Sequence, residues 1–139
     1  MRYFFTICIS AVLIFATSCS KSKDMPTEFD IVGQWGVTTV TYANPDGTSS
    51  FFKEYPGKYY SYWTIQINGA LIVKSEPEGN IQNGTYVYNA KKKTLTYLFD
   101  GNKRDIEAWV TVHDPVTITV TADFKEVGYN IYTMKKLAW

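Results

Sequence analysis

Val116-Thr117-Ile118-Thr119-Val120-Thr121-Ala122 alternates without a break, with Val116, Ile118, Val120 and Ala122 on one side and three threonines on the other. Successive side chains of a strand point to opposite faces, so a period of two describes a strand with one face in a core and one in water. The same pattern recurs in both directions from this segment. Downstream, residues 129–137 close the chain. Upstream, alternating or apolar runs cover 31–42, 48–54, 59–67, 70–75, 84–88, 93–99 and 104–112. Turn signals separate them: Asn44-Pro45-Asp46-Gly47, Pro56-Gly57, Asn68-Gly69, Glu76-Pro77-Glu78-Gly79-Asn80, Asn89-Ala90-Lys91-Lys92, Asp100-Gly101-Asn102 and His113-Asp114-Pro115. Asn68-Gly69 stands directly between two apolar runs, the strongest short hairpin signal, because its turn needs positive φ. Eight or nine strands spaced near ten residues predict an all-β chain, a single eight-stranded, possibly nine-stranded, antiparallel up-and-down barrel. Closing the sheet removes edges that would otherwise template aggregation.

Eleven Tyr, eight Phe and four Trp agree with this reading, since aromatic side chains suit a pleated, half-buried surface. The period assigns an interior of Trp35, Val37, Trp63, Ile65, Ile67, Leu71, Val73, Leu95, Tyr97, Phe99, Ile106, Ala108, Val110, Ile118, Val120 and Ile131.

Residues 1–18 have a different character. Met1-Arg2 supply a positive start, 4–16 are apolar apart from Thr6 and Ser10, and Ala16-Thr17-Ser18 are small. That order describes a secretory signal peptide, too short to cross a bilayer as a helix. Cys19 follows at once, and Phe15-Ala16-Thr17-Ser18-Cys19 resembles a bacterial lipobox, which implies a lipidated Cys19 as the new N-terminus. Several acyl chains make such an anchor durable. Cys8 leaves with the leader, so no disulfide and no thiolate metal site remain. Residues 19–30 read as the lipidated N-terminus and a polar tether, and 31–139 as the barrel domain. Ser20, by analogy with other lipoproteins, directs the chain to the outer membrane of the cell envelope.

The leader holds one of the 14 basic residues, Arg2, and no acid, so the remainder carries 13 of each sign. Nucleic-acid binding calls for a basic surplus, and the expected partners do not include nucleic acid.

Gly33-Gln34-Trp35 on the first strand is similar to the Gly-x-Trp of the lipocalin superfamily. Gly84-Thr85-Tyr86-Val87-Tyr88, a four-residue turn, Thr94-Leu95-Thr96-Tyr97-Leu98 and the closing Tyr132-Thr133-Met134-Lys135-Lys136-Leu137 resemble the lipocalin-like lipoproteins of the Bacteroidetes. The resemblance covers about residues 31–137. It implies an eight-stranded barrel with room for one small ligand, and a basic residue near the last strand over the first-strand Trp, where lipocalins usually have Arg. By position that is Lys135 or Lys136; Lys135 is assigned with Gly33 and Trp35 as the barrel-closing motif. Trp63, Tyr86, Tyr97 and Trp109 are the candidate lining of a pocket, as aromatic walls with a few polar groups suit small apolar ligands.

No catalytic constellation is expected. His113 is a lone histidine in a turn, which leaves no zinc set. Asp105 and Glu107 share a strand face that alternation turns to water. Gly-x-Ser-x-Gly and phosphate-loop motifs are absent. Lys91-Lys92-Lys93 is a basic hairpin tip, and Asn83-Gly84-Thr85 reads as a turn. The expected function is non-enzymatic, with no cofactor and no metal: an envelope lipoprotein whose barrel binds a small hydrophobic or amphipathic ligand. The alternative is a filled barrel acting as a structural or protein-interaction module of the envelope. Its contact surfaces would be 48–58, with Phe51, Phe52 and Tyr55, and 123–128.

Overall fold

The computed structural model of the protein describes residues 28–76 and 78–138. The expected signal peptide, Cys19 and most of the expected tether fall outside the described residues. Nine strands follow one another: β1 (Gly33–Ala43), β2 (Ser49–Glu54), β3 (Ser61–Ile65), β4 (Ala70–Ser75), β5 (Ile81–Asn89), β6 (Thr94–Phe99), β7 (Ile106–Asp114), β8 (Thr117–Asp123) and β9 (Tyr129–Ala138). Among the described residues the one other element is a single 3-10 turn at Lys125–Val127. From β3 to β9 each strand pairs antiparallel with the next, and β9 returns to β1, which closes an eight-stranded up-and-down barrel.

β2 is the ninth strand and stands outside the ring. The first half of β1, Gly33 to Gly36, pairs with β3, while Thr39 to Ala43 pair with β2. Both partners thus share one edge of β1 in succession, and β2 extends beyond the wall with every residue exposed.

Period-two burial holds along most of the ring. Leu95 and Tyr97 on β6, Ala108 and Val110 on β7, and Ile118, Val120 and Ala122 on β8 are all buried. Two expected interior positions, Ile67 and Ile131, and one expected lining residue, Trp109, are corrected by the backbone. Ile67 is 89% exposed. β3 ends at Ile65, and Ile67-Asn68-Gly69 form a three-residue loop: Gly69 N–H donates to Gln66 C=O (3.1 Å) and Gly69 takes φ 88°. That is the turn-plus-bulge hairpin rather than a two-residue Asn-Gly turn. Ile131 pairs with Thr121 on the outer face, while Tyr132 and Met134, opposite Val120 and Ile118, turn inward. Both parities of β9 carry apolar residues, so periodicity alone favours neither. Trp109 is 46% exposed. Its neighbours Ala108 and Val110 occupy the inner face, and alternation then sends Trp109 outside.

β1 also changes parity. The β1–β9 register slips between Val37 and Thr39, so Val37 and Val40 both point inward. A bulge of this kind adds one residue to one strand and increases its bend. Val40 is missing from the expected core because an unbroken alternation puts it outside.

Candidate binding site at the open end of the barrel

The two ends of the barrel differ in chemistry. At one end Trp35 is fully buried among Ile31, Ile65, Leu71, Leu95, Ile118 and Met134. The chain enters across this end, and Trp35 Nε1–H donates to Ile31 C=O (2.9 Å) while the Phe29 ring lies 6.1 Å from the indole. The indole N–H therefore has its acceptor inside the core, as a buried Trp requires.

Lys136, not Lys135, covers the indole: its Nζ lies 5.3 Å from the Trp35 ring centroid. Trp35 and Lys136 are register partners, and Lys135 is exposed on the outer wall opposite Gly36. Gly33 makes room for this arrangement. A Cβ there would stand 2.6 Å from Lys136 Cε and 2.7 Å from Ala138 O, and Gly33 holds φ 143°, which side-chain-bearing residues rarely adopt. Burial lowers the Lys136 ammonium below its ordinary pKa, with Asp30 opposing that shift. Tyr88 is raised, first by burial and then by the charges of Asp30 and Glu28.

At the other end the interior is incompletely filled. A cavity of about 250 Å³ opens between the ends of β3–β9. Its floor is the Trp63 indole, met edge-on by Tyr97 (5.5 Å, 77°) and tilted against Tyr132 (5.6 Å, 52°). Phe99 meets Tyr97 edge-on at 5.5 Å. Ser61, Ser75, Gln82 and Asn102 supply polar groups to the lining. Trp63 Nε1–H reaches Ser61 Oγ at 3.3 Å, and Asn130 Nδ2 donates to Tyr132 Oη at 3.0 Å. Burial, with a smaller contribution from Tyr132, holds the Tyr97 phenol well above its usual range. Burial also raises the Tyr132 phenol, despite the opposing Asn130 hydrogen bond. Both phenols stay neutral at physiological pH. None of the lining residues is charged.

Of the four expected lining residues, Trp63 and Tyr97 come together here. Tyr86 is half-buried and turned toward the opposite end, where its hydroxyl donates to Gln66 C=O (2.6 Å). Trp109 lies on the outer wall, its ring 6.5 Å from Tyr129. Sequence reasoning missed Tyr60, Tyr132 and Phe124 in the lining. The Tyr-x-Met spacing of Tyr132 and Met134 was the available signal for one of them.

The residues considered for other chemistry lie apart. His113 is exposed, with Nε2 2.7 Å from Thr119 Oγ1. Glu107 accepts from Lys125 Nζ (3.1 Å) on the outer surface. Among the described residues no group of three or more His, Cys, Asp or Glu is placed to hold a metal ion, and no helix is long and apolar enough to cross a membrane. Comparison of the chain with known proteins finds no matching family model, no matching curated protein and no matching solved structure.

Proposed function

We propose that the open end of the barrel binds one small, neutral, amphipathic molecule, in an exported, lipid-anchored, lipocalin-like protein of the envelope. The observation that carries this reading is the uncharged cavity over Trp63 and Tyr97. Its aromatic floor suits an apolar body, and its polar groups suit a hydroxyl or amide head. At about 250 Å³ the cavity lies just under the usual range for ligand pockets, so the occupant is compact. A charged ligand would lose its hydration without gaining a partner. No bond-making step is assigned to any residue of the cavity.

The test uses N-phenyl-1-naphthylamine, a neutral fluorescent amphipath, with emission followed during titration. Ser75→Phe places a ring in the cavity and is expected to weaken binding by about tenfold or more, roughly 1.4 kcal/mol. Equal affinity in the two proteins defeats the assignment. Native mass spectrometry of protein purified from cells then identifies the natural occupant. Fatty-acid labelling that is lost in Cys19→Ala tests the anchor.

A second reading is supported by β2. Phe51 and Phe52 are 43% and 59% exposed on a strand outside the ring, and exposed aromatics of this kind mark contact surfaces. On this reading the protein engages an envelope partner through β2. Crosslinking from position 52 in cells separates it from the first.

A further inference from the structure

We infer that a groove on the flank of the barrel, beside the mouth cavity and sharing Tyr60 with it, binds a small zwitterion: an organic ammonium joined by a short link to a phosphate. Gly36 on β1 faces outward, and the Tyr59 ring is folded against it. A Cβ at Gly36 would lie 2.5 Å from Tyr59 Cδ1. This bare patch of strand lets the 55–60 segment lie back on the wall, where Tyr59 meets Tyr62 edge-on at 5.6 Å. Tyr55 and Tyr60 form a second pair with centroids 5.3 Å apart. The four rings line a groove of about 670 Å³, more than twice the volume of the mouth cavity.

Charges of both signs line this groove and come from two chain segments: Lys53, at the end of β2, and Lys58, in the segment after it, from one, and Glu76 and Glu78, in the turn after β4, from the other. Glu76 pairs with Lys74 at 3.5 Å. Among the described residues Lys53, Lys58 and Glu78 enter no ion pair. The two sets therefore do not neutralise each other in ion pairs across the groove. The rings already accept a cation, since Lys53 Nζ lies 5.2 Å from the Tyr55 centroid, and aromatic faces attract organic ammonium groups.

This pattern selects a ligand class by exclusion. A simple anion meets two carboxylates, a simple cation meets two ammonium groups, and an apolar molecule strips water from all four. A zwitterion matches both charge sets: its phosphate toward Lys53 and Lys58, its ammonium over the tyrosines and toward Glu78. Phosphocholine and phosphoethanolamine have this chemistry, either free or as the head group of a lipid.

The test is NMR titration of the full chain with phosphocholine, with choline chloride and sodium phosphate as separate probes. Phosphocholine is expected to shift the amide signals of Lys58, Tyr59, Tyr62 and Glu78, to leave Gln82 and Asn102 at the mouth unmoved, and to bind more tightly than either half-ligand. Lys58→Gln and Glu78→Gln alter exposed charges without touching the core, and each is expected to weaken binding roughly two- to fivefold. Tighter binding of monomeric dihexanoylphosphatidylcholine assigns a lipid source; equal or weaker binding assigns the free head group. The inference is overturned if phosphocholine at about 20 mM, far above a ~1 mM affinity, moves none of these signals. It is equally overturned if choline or phosphate alone binds as well, or if neither substitution changes the affinity. Gln82 and Asn102 line only the mouth cavity, so their signals report that site separately although Tyr60 is common to both.

Discussion

The two ends of this barrel are made from the same strands by the same alternation, yet one is solid and the other is not. At the Trp35 end the inward positions are mostly aliphatic side chains packed on a single indole, and the incoming chain covers them. At the Trp63 end six aromatic rings, three of them tyrosines, line the opening beside Val73 and Ile106, in edge-on and tilted contacts. Branched aliphatic chains interdigitate and fill space to crystal-like density. Rigid planar rings in tilted contact leave gaps, and their hydroxyls need polar neighbours. The difference between plug and pocket therefore lies in side-chain shape rather than in topology.

The largest effect expected from this contrast is on stability. Trp35→Ala removes the centre of the filled end, and a core Trp→Ala change typically costs about 3–5 kcal/mol. Trp63→Ala enlarges a space that already opens to water, so its cost should fall at or below the low end of that range. Denaturant unfolding of both variants measures the gap. Equal losses would mean that the two ends are packed alike.

A second contrast is in alkaline titration. Lys136 at the closed end has its ammonium pKa lowered by burial. In the window between that value and the unfolded value near ~10.4, the unfolded chain binds more protons, so stability rises with pH. The buried phenols Tyr97 and Tyr132 have the opposite sign. Their folded pKa values exceed the unfolded value of about 10, so their contribution is complete below that pH and is lost as pH climbs through the folded values. Tyr86 and Tyr88 add to the same falling limb. Stability followed by thermal melts from pH 8 upward should thus rise and then fall. Lys136→Met is expected to flatten the rise, and Tyr97→Phe to soften the fall. A wild-type curve without a maximum, or one that both variants leave unchanged, breaks the assignment.

The fold was legible because alternation survives in nearly every strand: 117–122 and its neighbours place their inward residues correctly, while Val116, on the same parity, lies in the turn before β8 and is exposed. What escaped was local geometry that shifts the count by one. The register slip near Thr38 moves Val40 inside, and no residue type there announces it. β9 carries Ile131, Tyr132 and Met134 on both parities, so the choice was made by the facing strands β1 and β8. At the site, Trp63 and Tyr97 were found because they sit in clean alternating runs. Trp109 was misplaced although Ala108 and Val110 already held the inner face, and alternation was enough to exclude it. Lys135 and Lys136 are adjacent residues on opposite faces, and the space left by Gly33 decides between them.

The smallest expected effect tests the hairpin correction. Ile67 has the composition of a core residue and the position of a loop tip. Ile67→Asn should change stability by about 0.5 kcal/mol or less, as surface substitutions do, while Leu71→Ala, only four residues on but fully inside, should cost about 2–5 kcal/mol. The pair isolates register from hydrophobicity, because both wild-type residues are large aliphatics on one hairpin at the closed end. If Ile67→Asn proved as costly as Leu71→Ala, β3 would run two residues further than Ile65. Ile67 would then belong to the plug, and Asn68-Gly69 would form the two-residue turn that its sequence suggests.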